Sequence, residues 1–154
     1  MTKKAFILAA GLGTRLRPLT LKCPKPLLKI KGKTLLSNAL KFLEEYGINQ
    51  AVINVHHLSE QIVDYVNNNK FNLAIDIVNE KEKILDTGGG ILNAISQFKN
   101  ESFFVLNPDT IWSVEYLNEL EKNYKYDHWK ECSYSLFRIC WASQNCGRKT
   151  AGYG

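Results

Sequence analysis

Two glycines, a threonine and an arginine fall together in Gly11-Leu12-Gly13-Thr14-Arg15, and a lysine between prolines follows in Pro24-Lys25-Pro26-Leu27. Glycine lacks the Cβ that would hold a ligand away from the backbone, so consecutive N–H groups of such a loop can close on an oxyanion. Ala10 leads into it. Thr14 adds a hydroxyl, Arg15 a planar guanidinium suited to bidentate contact, and Lys25 a compact point charge. Two familiar phosphate loops do not match. A Walker A motif needs Gly-Lys-Ser/Thr after its spacer, and the dinucleotide fingerprint needs a third glycine where Leu16 stands.

Three further clusters could do chemistry. Leu85-Asp86-Thr87-Gly88-Gly89-Gly90 opens a helical pattern, and its glycines would let backbone approach a flat ring. Asn107-Pro108-Asp109 closes an apolar run with a carboxylate, which could bind a cation or cap the following segment. His56 and His57 are adjacent, and neighbouring side chains on an extended chain point to opposite faces, so the pair is not expected to act on one ligand.

The charge distribution agrees with an anionic ligand near the N-terminal segment. Ten of the twenty Lys and Arg residues lie by Lys41, ahead of the first carboxylate at Glu44. Such a run can also be a plain solvated face. Nucleic acid is the competing anion, but Phe6 and Phe42 are the sole aromatics of that stretch, poor material for base stacking. With 45% hydrophobic and 23% charged residues the composition is that of a globular domain, and no run is long enough to span a membrane. The early apolar run leads straight into Gly11, which argues against an export signal and for a cytoplasmic protein with reduced thiols. Cys132, Cys140 and Cys146 have no C-x-x-C spacing, which argues against zinc.

These residues need elements to hold them. Apolar runs at residues 4–9, 50–55, 73–78 and 102–106 read as strands, with a short extended piece at 27–30. Helical spacing covers residues 34–46, with Leu35, Ala39, Phe42 and Leu43 inward and Gly47 as stop. It returns at 59–67, capped by Ser59 with Ile62, Tyr65 and Val66 inward; at 88–98, with Ile91, Leu92, Ile95 and Phe98 on one face; and at 114–122. Strands alternating with helices predict an α/β class: a Rossmann-like three-layer α/β/α fold around a mainly parallel sheet. Ligands bind beyond the carboxyl ends of such strands, where Gly11, the segment after Val55, Glu80 and Asp109 all fall.

The Gly11-to-Arg15 loop followed by Pro24-Lys25-Pro26-Leu27 resembles the signature of the sugar-1-phosphate nucleotidyltransferases, and Leu85 to Gly90 is similar to the form seen in their muramate-phosphate uridylyltransferase members. The resemblance covers about residues 3–122. It implies joining of a nucleoside triphosphate to a sugar-1-phosphate, giving a nucleotide sugar and pyrophosphate. It also implies that Ala10, Gly11, Gly13 and Thr14 hold nucleotide phosphates, Arg15 stabilises departing pyrophosphate, and Lys25 bridges the phosphates at the reacting phosphorus. Gly88 and Gly89 would line the base pocket with Glu80, and Asp109 would bind Mg2+. The family carries Gly before that aspartate, where this chain has Pro108.

From residue 127 the texture changes, with three of the four Cys and two of the three Trp in the last 28 residues. Residues 1–126 are therefore expected to form the nucleotide-binding part, incomplete on its C-terminal side. Residues 127–154 are expected to form an atypical tail of a truncated or frame-disrupted product, with an extended stretch at 133–142. The alternative function is a nucleotide-binding fragment or pseudo-enzyme without turnover, and more remotely a basic nucleic-acid binder. The nucleobase, the sugar and the oligomeric state stay open.

Overall fold

A computed structural model describes residues 4–80, 86–98, 101, 103–110 and 113–126. The expected stretch at 133–142 and the whole tail from 127 lie outside the described residues, as do Lys81 to Leu85.

The first strand, β1 (Lys4–Leu8), is buried on both faces because Ala5, Phe6 and Ile7 are all apolar and alternate sides. A hairpin follows, with β2 (Lys29–Ile30) antiparallel to β3 (Lys33–Thr34). Its turn residues, Lys31 at φ 51° and Gly32 at φ 82°, are both left-handed, as the right-handed twist of a two-residue hairpin requires. Only the end of the expected extended piece at 27–30 is a strand; residues 25–27 form a 3-10 turn.

Helix α1 (Leu35–Tyr46) begins where Thr34 accepts the Ser37 N–H at 3.0 Å through Oγ1, and ends where Gly47 turns left-handed at φ 86°. Its buried stripe is Leu36, Ala39, Leu40 and Leu43 with Phe42 beside it, not the Leu35 register expected, and Leu35 is half-buried. Leu36 and Leu40 are fully buried, each contributing about 1.5–3 kcal/mol by removal from water.

Strand β4 (Gln50–Val55) follows, then α2 (Ser59–Asn68) and β5 (Ala74–Asn79). Ser59 does not cap α2. Leu58, at φ 52°, occupies the cap position without a side-chain bond, and the Ser59 hydroxyl accepts from Asn79 Nδ2 at 3.2 Å instead. Helix α3 (Asp86–Ile95) starts two residues before the expected Gly88 and runs into a 3-10 turn at Ser96–Phe98. Ile91 and Phe98 are buried as expected, but Leu92 is 66% exposed, and the side chain of Ile95 lies outside what the structure describes. Strand β6 (Phe104–Leu106) and helix α4 (Val114–Tyr126) complete the described chain.

The four long strands form one sheet in the order β5-β4-β1-β6, every pair parallel. The chain steps outward from β1 to β4 and β5, then returns past β1 to place β6 on the other side. Crossovers of one hand that reverse direction must put their helices on opposite faces. The packing follows: α1, α2 and α4 supply Leu36, Leu40, Ile62 and Leu117 to a core with Ile7 and Ile53. On the opposite face α3 packs Ile91 on Phe6, Val52 and Val105, with the rings of Phe98 and Phe103 stacked 4.0 Å apart. This is the three-layer α/β/α architecture, and its topological switch point lies between β1 and β6.

Candidate functional site

Because the strands are parallel, their carboxyl ends share one edge, and a cleft of about 330 Å³ opens there. Its wall is built by the exits of four strands: Leu8 to Gly11 after β1, Asn54 in β4, Glu80 after β5, and Asn107 to Asp109 after β6, with Arg15, Lys25 and Pro26 across the mouth. Of the expected convergence, Gly11, Glu80 and Asp109 are present, joined by Arg15 and Lys25, while β4 is represented on the wall by Asn54, and His56, in the segment after Val55, lines a separate hollow.

The loop after β1 is shaped by Gly13. This residue is left-handed at φ 63°, and a Cβ on it would stand 2.8 Å from Thr20 Cγ2. Thr20 is 1% exposed, and its hydroxyl donates to the Gly13 carbonyl at 2.8 Å, so it cannot step aside. Gly11 is different: a Cβ there would meet nothing within 4 Å. Gly13 thus closes the turn, while Gly11 lines the cleft. Ala10 lines it too, whereas Gly13 and Thr14 are not among its lining residues, and Thr14 is exposed.

Lys25 and Asp109 meet across the mouth, Nζ against Oδ2, in an ion pair whose side chains stay 29% and 38% exposed. The residues expected to serve phosphate and cation therefore neutralise each other here. Of the ten cations before Glu44, only Arg15 and Lys25 are on the cleft wall. Lys4 pairs with Glu101 at 2.9 Å, and Lys29, Lys31 and Lys33 are exposed on the hairpin. Most of that charge excess is a solvated face, as the plain reading of such runs holds.

The histidines have separate jobs. A carbonyl can only accept, so His56 Nδ1 carries the proton it donates to the Glu80 carbonyl, and His57 Nε2 donates to the Thr20 carbonyl at 2.9 Å. His56 thus fixes the exit of β5, while His57 braces the residue that locks Gly13. They do not converge on one ligand.

Sequence reasoning missed Asn54 and Gly90. Asn54 is 2% exposed and bonds both the Ala9 N–H and the Glu80 carboxylate, and Glu80 itself is 5% exposed. Gly90 makes a close approach, since a Cβ on it would lie 2.9 Å from Asn54 Nδ2. Gly88 and Gly89 precede it in the first turn of α3. The available signal for Asn54 was a polar residue inside the apolar run of β4, since a buried amide has to be hydrogen-bonded.

A doubly wound parallel sheet with a cleft at its switch point defines a class of α/β protein whose ligands bind at that edge. The family comparison narrows the class. The Nucleotidyl transferase family profile matches residues 4–137, and the chain belongs to that family. It is 40% identical over 113 residues to an N-acetylmuramate alpha-1-phosphate uridylyltransferase of Caulobacter vibrioides, covering 71% of this chain and 47% of that protein. It is 35% identical over 120 residues to a D-glycero-alpha-D-manno-heptose 1-phosphate guanylyltransferase of Campylobacter jejuni, covering 78% and 53% respectively. The crystal structure of HddC from Yersinia pseudotuberculosis complexed with GMP-PN matches with a TM-score of 0.70 and 32% identity, covering 79% of this chain and 54% of that one. The chain spans about half the length of the curated relatives it matches.

Proposed function

We propose that this chain is the nucleotide-binding part of a sugar-1-phosphate nucleotidyltransferase. The observation that carries the reading is the meeting of Gly11, Arg15, Lys25 and Asp109 on one cleft at the switch point. A phosphate oxygen of the sugar-1-phosphate attacks the α-phosphorus of a nucleoside triphosphate. The new P–O bond forms as the α–β bridge breaks, and pyrophosphate leaves with the electron pair. Attack comes from the substrate itself, so no enzyme nucleophile is required.

In this reading the backbone of Ala10 and Gly11 faces the phosphates, with Gly13 and Thr14 holding the loop's shape and far end. Arg15 stabilises the charge of the departing pyrophosphate, and Lys25 that of the α-phosphate as its phosphorus becomes five-coordinate. Glu80, with the Gly88-Gly89 turn, serves the base side. Asp109 suits Mg2+: a half-exposed carboxylate at the mouth fits an ion held by one or two carboxylates together with phosphate oxygens and water. Among the described residues no group of three or more His, Cys, Asp or Glu side chains could hold a metal without such help. When bound, Mg2+ would offset phosphate charge, and Lys25 would pass from Asp109 to the phosphates. The cytoplasm, where nucleoside triphosphates are abundant, is the proposed compartment.

A second reading is binding without turnover. The chain spans about half the length of its relatives, so nucleotide binding by this stretch is tested separately from turnover. One experiment separates the two. The purified chain is mixed with Mg2+, a panel of nucleoside triphosphates and sugar-1-phosphates, and pyrophosphate release is measured beside nucleotide binding. Release abolished by Asp109→Ala supports the transferase; binding without release supports the fragment; absence of both overturns the nucleotide assignment.

A further inference from the structure

Asn54 is the penultimate residue of β4 and stands in register with Leu8 of β1 and Val78 of β5. Its neighbours Ala51, Val52, Ile53 and Val55 are apolar and fully buried. An amide in that setting is strongly disfavoured unless both its polar ends are bonded. Both are. Oδ1 accepts the Ala9 N–H at 2.8 Å, and Nδ2 donates to Glu80 Oε1 at 2.9 Å.

The direction of these bonds is fixed by chemistry. A backbone N–H can only donate, so Oδ1 must face Ala9, which turns the NH2 group toward an accepting oxygen of Glu80. The reversed amide would set donor against donor and acceptor against acceptor. Gly90 covers the pair so closely that a Cβ on it would stand 3.0 Å from Glu80 Oε1. The backbone of Glu80 is held independently, its N–H donating to the Val55 carbonyl at 2.8 Å and its carbonyl accepting from His56. A change at Asn54 therefore reaches Glu80 through the carboxylate, and it reaches the cleft wall at Ala10 and Gly11 through Ala9.

We propose that Asn54 is a positioning residue that couples the loop after β1 to Glu80, so that the phosphate end and the base end of a nucleotide are gripped as one ligand. This rests on the nucleotide assignment made above. Asn54 touches no substrate in this role; its one-acceptor, one-donor amide sets the relative position of the two groups that do.

The test is a reversal of polarity read by calorimetric binding of UTP and of GTP with Mg2+ to the full chain. Asn54→Asp keeps an acceptor for Ala9 but sets a carboxylate against Glu80, and affinity is expected to fall about tenfold or more. Adding Glu80→Gln rebuilds the bond with donor and acceptor exchanged, and this double variant is expected to bind within about threefold of Glu80→Gln alone. A purely structural asparagine would not be rescued in affinity this way. If the double variant instead loses the product of the two single effects, the coupling is overturned while the nucleotide assignment stands. Wild-type protein that binds neither nucleotide overturns both. Should Asn54→Asp fail to fold, the double variant still decides: folded with the affinity of Glu80→Gln it supports the coupling, and unfolded or weaker it removes it.

Discussion

Gly13 and Gly11 sit two residues apart in one loop, yet replacing each with alanine should produce opposite phenotypes. Gly13→Ala places an L side chain at φ 63°, a left-handed conformation disfavoured by about 1–2 kcal/mol for such residues. The new methyl would also meet Thr20 Cγ2 at 2.8 Å, and Thr20 is buried and tied by its hydroxyl to the Gly13 carbonyl. Overpacking of that kind costs about 1–3 kcal/mol, so the whole effect is about 2–5 kcal/mol of stability. For a chain of this size that is a fall of about 5–15 °C in Tm. Gly11→Ala meets open space and lies outside the left-handed region, so its stability should stay within about 0.5 kcal/mol of wild type. Its methyl stands on the cleft wall, however, and should weaken nucleoside triphosphate binding by about tenfold or more. Urea unfolding gives the stabilities and calorimetry with Mg2+ the affinities. Wild-type stability in Gly13→Ala would refute the steric account of the turn; undiminished affinity in Gly11→Ala would refute the placement of phosphate against the loop.

Three other outcomes follow from the geometry. Lys25→Gln removes an exposed ion pair with Asp109, so unfolding free energy should change by less than about 1 kcal/mol, while pyrophosphate release, where the chain supports it, should fall about 100-fold or more. Thr34→Ala removes the α1 cap and the hydroxyl that donates to Tyr65 Oη at 3.0 Å, and chemical denaturation should show a loss of about 1–2 kcal/mol that Thr34→Ser largely restores. The Glu115 carboxyl is held below the usual glutamate range by a bond to its own backbone N–H and then by the Ser113 hydroxyl. A lowered folded value means that its contribution is present above the unfolded value and lost as pH falls through the folded one. An NMR titration should therefore give a midpoint below that of free glutamate, and Ser113→Ala should raise it.

The sequence by itself determined what depends on near neighbours. The apolar runs of β1, β4 and β5, the helical stripe that ends at Gly47, and the alternation of strand with helix are local in origin, and they sufficed for the α/β class and for the signature loop from Gly11 to Arg15. Local patterns also misled where tertiary contacts overrode them. Ser59 has the chemistry of a cap but is drawn to Asn79, and Leu92 keeps the helical period yet faces solvent.

Strand order decided the rest. Lys25 and Asp109 lie 84 residues apart, Asn54 and Ala9 45 apart, and His57 and Thr20 37 apart. Periodicity announces that a segment is a strand or a helix but not which strand it will pair with. Only when β1 is set between β4 and β6, with all carboxyl ends on one edge, do the loop, the amide, the buried carboxylate and the rim aspartate come within reach of one another. Side-chain bonds act over about 3 Å, so partners distant in sequence are chosen by the packing of the sheet and not by the residues that meet there.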